Sequence, residues 1–141
     1  MRHIAKTIVG GGSGTTVTQI TSAFDTRGFG YATISIFGCA TTVAPTTVVS
    51  NHVLAEADVD ASTNYVTISG STPSPISSTA AIATNVAKMI YNVDLRGRKR
   101  YLKVTYTAHS GDSLLVTCDL SNASDGIETL TQQGAVSGVS L

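Results

Sequence analysis

Three groups of residues in this 141-residue chain have side chains that can do chemistry. His109, Ser110 and Asp112 are the residue types of a hydrolytic triad, but they sit together in "AHSGD". Neighbours in so short a turn cannot form the line from hydroxyl through imidazole to carboxylate that proton relay requires. The run "DVDASTN" sets Asp58, Asp60, Ser62 and Asn64 at alternate positions, as in the first half of a calcium loop. Thr63 stands where that loop needs glycine, and Ser69 where it needs a bidentate Glu. The run therefore reads as an acidic turn, and with Glu56 it makes a compact negative patch. His3 and His52 have no second His at metal-ligand spacing. No catalytic centre, metal site or cofactor is expected, and the chain reads as something other than an enzyme.

The third group is basic. Residues 96 to 103, "RGRKRYLK", hold five of the nine Lys and Arg residues in eight positions, although the chain as a whole has no net charge. Nucleic-acid binding is not expected, because it needs a general basic excess and interleaved aromatics, and Tyr101 is the only aromatic in the run. A solvated face is the plain alternative. Clustered arginines favour planar, bidentate pairing, so the expectation is contact with an acidic partner surface. The expected contact residues are Arg96, Arg98, Lys99 and Arg100, joined by Arg27. The acidic patch of Glu56, Asp58 and Asp60 on another copy is one candidate partner. Within the cluster, Arg96 is expected to be held by Asp94 or Asp25 as a structural corner, while Arg98 and Arg100 reach outward.

These residues need a scaffold, and the composition points to strands. Only 13% of residues are charged, and Thr, Ser, Ala, Val and Gly dominate. Short strands are expected at about 15–24, 30–38, 48–57, 64–69, 86–93, 100–108 and 113–120. In "YLKVTYT", Leu102, Val104 and Tyr106 alternate with Tyr101, Lys103, Thr105 and Thr107, and in "SLLVTCDL" Leu114, Val116, Cys118 and Leu120 take the inward positions. "AHSGD" reads as a tight hairpin between these two strands. The fold class is all-β, a single-domain β-sandwich of jelly-roll type.

Punctuation divides the chain further. "GGGSG" at 10–14 reads as a flexible joint, making residues 1–14 an arm, 15–122 the sandwich and 123–141 a polar tail. No Gly-Lys-Ser/Thr follows those glycines, so they do not form a phosphate loop. "STPSPISS" reads as an exposed loop, and "SSTAAIATNVAKM" as a loop entering a strand. The apolar stretch in "MRHIAKTIVGGGSG" is too short for a signal peptide, and no run is long enough to span a membrane. Cys39 and Cys118, each in an apolar run, read as buried free thiols of a protein assembled in a reducing compartment.

One pattern occurs twice. "DTRGFGYATISI" at 25–36 and "DLRGRKRYLKVTYT" at 94–107 both present Asp-x-Arg-Gly, then an aromatic and a strand. In a jelly roll both loops would lie at one end, bringing Asp25, Arg27, Asp94 and Arg96 together.

In order and spacing, "AFDTRGFGYATISI", "LAEADVDASTNYVTI" and "VDLRGRKRYLKVTYT" resemble segments of the decoration, or cement, proteins of tailed-bacteriophage capsids. The similarity runs over residues 15 to 108, and "GRKRYLKV" is its most specific part. It implies a virion protein without catalytic activity that binds the outside of the shell and bridges neighbouring major capsid protein subunits, often as a dimer or trimer. Assembly would take place in the host cytoplasm, with no membrane or nucleic-acid partner. The alternative is a carbohydrate-binding or tail-fibre module, which needs exposed aromatics along a groove; the chain has no Trp.

Overall fold

The computed structural model describes residues 6–13, 18–39, 47–71, 76–77, 86–108, 113–122 and 137–141. Among them are ten strands: β1 (Lys6–Ser13), β2 (Thr18–Asp25), β3 (Tyr31–Cys39), β4 (Thr47–Ala57), β5 (Val66–Thr67), β6 (Ile76–Ser77), β7 (Val86–Asp94), β8 (Tyr101–Ala108), β9 (Ser113–Ser121) and β10 (Ser137–Ser140). One sheet has the order β1-β9-β3-β7-β10, and the other β2-β8-β4-β5 with β6 also on β4. All pairings are antiparallel except that of β10, which lies parallel to β7.

Period-two alternation builds the core. In the first sheet Ile34 of β3 lies opposite both Tyr91 of β7 and Cys118 of β9, and Ile36 lies opposite Met89 and Val116. The second sheet contributes Phe24, Leu54, Leu102 and Val104, and these side chains of both sheets are at most 1% exposed. Each fully buried Leu or Ile contributes about 1.5–3 kcal/mol, enough to hold the sheets face to face. Thr33, Ser35, Ile90 and Asn92, on the opposite parity of β3 and β7, are buried as well, so those strands are covered on both faces. Thr33 Oγ1 and Asn92 Oδ1 meet there at 3.1 Å.

The expected strands are present, with five differences. Lys6–Ser13 is not an arm: it pairs with β9 along all eight residues, Gly10–Gly12 opposite Val116–Leu114. Ladder hydrogen bonds use the backbone, which glycine has, so a neighbouring strand can order a segment of poor intrinsic propensity. The end of the expected tail is β10. Leu141 donates its N–H to the Asn92 carbonyl and accepts from Asp94 N, both at 2.8 Å, and its side chain packs on the core. β8 and β9 do not form a hairpin, because β8 belongs to one sheet and β9 to the other. Both have a core-facing row, and that pattern is the same whether two strands pair or face each other. Finally, the expected 64–69 strand shortens to Val66–Thr67, and Ile76–Ser77 inside "STPSPISS" pairs with β4. The turn at 109–112 and the Ala-rich stretch at 78–85 lie outside the described residues.

Candidate functional site

The two Asp-x-Arg-Gly segments form adjacent turns at one end of the sandwich. β2 ends at Asp25 opposite Tyr101, the first residue of β8, and β7 ends at Asp94 opposite Tyr31, the first residue of β3. The loops 26–30 and 95–100 therefore cross between the sheets side by side. Thr26 N donates to Arg100 O at 3.0 Å, and Leu95 N donates to Gly30 O at 2.9 Å, a nearly two-fold arrangement.

Each turn has the same internal wiring. Asp25 Oδ1 accepts the Arg27 N–H at 3.1 Å, as Asp94 Oδ1 accepts the Arg96 N–H at 3.0 Å. Thr26 O accepts from Phe29 N, and Leu95 O from Arg98 N, closing the four-residue turns. Gly28 and Gly97 hold φ at 87° and 82°, the positive value that the third position of a type II turn requires. Asp caps the turn and Gly permits it, which is why the pattern occurs twice.

Charge then cross-braces this end. Arg100 grips Asp25 through Nε at 3.1 Å and Nη2 at 2.7 Å, one bond to each carboxylate oxygen. Arg96 folds back on Asp94 through Nε and Nη2, and its Nη2 also reaches the Tyr31 hydroxyl at 2.9 Å. Glu56 follows His52 and Leu54 on the inward parity of β4 and is half-buried under the basic loop. Its carboxylate accepts the Lys99 N–H at 3.3 Å and lies 3.8 Å from the Arg98 guanidinium. Lys99 Nζ meets Asp58 at 3.3 Å. Three tyrosines join in: the Arg96 guanidinium lies 5.6 Å from the Tyr31 ring centre, Arg100 4.7 Å from Tyr101, and Lys103 Nζ 4.0 Å from Tyr65. The Tyr65 hydroxyl donates to Asp60 at 2.7 Å.

These contacts set the titration of the end. Hydrogen bonds from Arg100, against an opposing effect of burial, hold the Asp25 carboxyl down at about 2. The Arg96 side chain and backbone hold Asp94 at about 2. Burial, reinforced by Asp60, pushes the Tyr65 hydroxyl up.

The structure thus brings Arg96, Arg98, Lys99, Arg100, Glu56 and Asp58 together, with Asp60 beside them on Tyr65 and Arg27 on the neighbouring turn. Arg96 is held by Asp94, as expected. Arg98 and Arg100 do not reach outward: each turns onto a carboxylate of its own chain, since Glu56 and Asp25 lie within reach across the loops. Glu56 and Asp58 are likewise engaged by cations of the same chain rather than left for another copy. Sequence reasoning missed Tyr31 and Tyr65, and it counted Lys103 in the basic cluster without placing it among the contact residues. The aromatic opening each strand after Asp-x-Arg-Gly was a visible signal for Tyr31 and Tyr101; the Lys103–Tyr65 contact depends on how strands distant in sequence pack.

Among the described residues no group of three or more His, Cys, Asp and Glu side chains is placed to hold a metal ion. His52 is buried within β4. The arrangement offers a braced, charged and aromatic surface. No family model, no curated protein and no solved structure matches the chain.

Proposed function

We propose that this is a structural virion protein of the tailed-phage decoration class, binding the outside of a capsid and stabilising it by bridging neighbouring major capsid protein subunits. It acts without catalysis, as a dimer or trimer, on particles assembled in the host cytoplasm. The proposed fold is a jelly roll. The order β1-β9-β3-β7 facing β2-β8-β4-β5 is that of two interleaved Greek keys, with β10 added at one edge, and this supports the assignment.

The observation that carries the functional reading is the braced end. Loops 26–30, 58–65 and 95–100 are tied to one another or to the strands by bidentate, backbone and aromatic contacts, so the surface keeps its shape before any partner arrives. Preorganisation lowers the entropy lost on docking, and small gains multiply when many copies bind a repeating lattice. The resemblance of three ordered segments is what points to a capsid as that lattice. A fold shared with lectin domains leaves sugar binding as the other candidate. A cation covers one face of each of Tyr31, Tyr65 and Tyr101, which disfavours stacking on a sugar ring.

The test is to add the purified chain to particles of the same phage that lack it, and to image them by electron microscopy. Regular density on the outer shell, together with a raised temperature of capsid disruption, is the expected result. Bare particles at saturating protein overturn the proposal, and specific binding on a glycan array would replace it with the sugar-binding alternative.

A further inference from the structure

We infer that Arg27 is the residue that receives a carboxylate from the partner, and that Arg96, Arg98, Lys99 and Arg100 shape the surface around it without binding across it. The inference rests on the proposed attachment to a capsid and names the chemistry of the contact.

Its basis is that one sequence pattern reaches two opposite outcomes. In the second turn Arg96 closes on the aspartate two residues before it, with Nη2 2.5 Å from Asp94 Oδ2. The equivalent carboxylate of the first turn, Asp25, is already occupied. Arg100 of the adjacent loop takes both of its oxygens, and the Arg27 N–H takes a further bond to Oδ1. The Arg27 guanidinium is thereby displaced. It is exposed, and among the described residues no carboxylate lies within ion-pair distance of it.

Every cation of the 95–100 loop and of β8 is engaged: Arg96 by Asp94, Arg98 by Glu56, Lys99 by Asp58, Arg100 by Asp25, and Lys103 on the Tyr65 ring. To bind a partner, those side chains would first have to give up pairs they already have. Arg27 has no hydrogen-bonded ion pair to give up, only hydration, rotamer freedom and a through-space attraction to Asp25, and its backbone is set. Thr26 N and Oγ1 both donate to Arg100 O, at 3.0 Å and 2.6 Å, Phe29 packs on the core, and Gly28 closes the turn. A Cβ built on Gly28 would meet nothing within 4 Å, so there is room beside Arg27 for a partner to approach closely.

A guanidinium in that position presents a planar fork that fits a carboxylate with two parallel hydrogen bonds. The surroundings select against a polyanion. With Asp25, Glu56, Asp58, Asp60 and Asp94 at the same end, the surface lacks the extended positive field that draws a phosphate backbone. One carboxylate on a protein surface is the matching ligand.

The experiment compares the parent chain with Arg27→Lys, Arg27→Glu and Arg100→Ser for binding to undecorated particles, alongside thermal unfolding of each free protein. The expected result is that Arg27→Glu loses occupancy by about tenfold or more and Arg27→Lys by less, with Arg27→Lys melting like the parent. Arg100→Ser should melt lower, since it strips Asp25 of its brace. Arg27→Glu particles decorated as fully as the parent's overturn the inference while leaving the capsid reading intact. So does a lowered melting temperature for Arg27→Lys, which keeps the charge, since that would mean that the Arg27 guanidinium is engaged within its own chain. A parent chain that leaves the particles bare brings down the capsid reading and this inference with it.

Discussion

Asp25 and Asp94 show how single residues at the braced end respond to solvent. Both carboxyls sit at about 2 rather than the ordinary 3.8, because their arginine partners favour the charged form. The unfolded chain therefore binds protons more readily than the folded one as pH falls. The stability these groups contribute is fully present above 3.8 and is lost as pH drops toward about 2. We expect the urea midpoint to stay level from neutral pH to about pH 4 and then to fall. Asp25→Asn and Asp94→Asn should each start lower at neutral pH and fall less steeply, and equal slopes in all three proteins would refute the assignment. Cys118 behaves in the opposite sense: burial, aided by the neighbouring Asp119 charge, pushes its thiol up to about 12. The thiolate is the reactive form, so iodoacetamide at neutral pH should spare Cys118 in the folded protein and label it in urea, as peptide mapping by mass spectrometry can show.

At the scale of elements, the paired turns make a prediction about glycine. Gly28 and Gly97 have positive φ, and a Cβ at either position would touch nothing within 4 Å, so substitution is opposed by backbone strain and not by crowding. Gly28→Ala and Gly97→Ala should each lower stability by about 1 kcal/mol, read from the shift in urea midpoint at constant slope. Asn, which tolerates the left-handed region better, should cost less at both sites. A larger loss at one site than at the other would mean that the two turns are not equivalent. The strands between the turns were readable because alternation survives wherever one face meets the core, as in Leu102 and Val104 of β8 or Val116, Cys118 and Leu120 of β9. β1 was not readable, since its three glycines carry no pattern and its order comes from pairing with β9.

For the molecule as a whole, the decisive feature is that the core rows of β2, β4 and β8 in one sheet and of β3, β7 and β9 in the other cover each other. The sandwich is also closed along one side by its last strand: Leu141 packs on the core, and its Cδ2 lies 4.0 Å from where a Cβ of Gly70 would be, linking the β10 edge of one sheet to the loop after β5 of the other. Removing residues 137–141 would uncover that apolar contact and leave the β7 backbone without its parallel partner. The truncated protein should melt at a lower temperature and, with a bare strand edge, should associate at concentrations where the parent does not, as light scattering would detect. Unchanged melting and scattering would show that β10 adds nothing to the fold.

Composition and local pattern were sufficient for the all-β class, for most of the strands and for the two Asp-x-Arg-Gly turns, because each depends on interactions between residues near in sequence or on burial of a single face. Pairing between distant strands was not encoded locally. A core-facing row reads the same whether its strand pairs with its neighbour in sequence or faces it across the sandwich, so β8 and β9 looked like a hairpin and are not one. The charge cluster was visible as a cluster, but its meaning depended on geometry. Only when β2 meets β8 and β4 lies beside them do Asp25, Glu56 and Asp58 come within reach of Arg100, Arg98 and Lys99. Tertiary structure turned an apparent excess of positive charge into a brace of paired charges, and it left Arg27, the arginine of the first Asp-x-Arg-Gly turn, without an ion pair among the described residues.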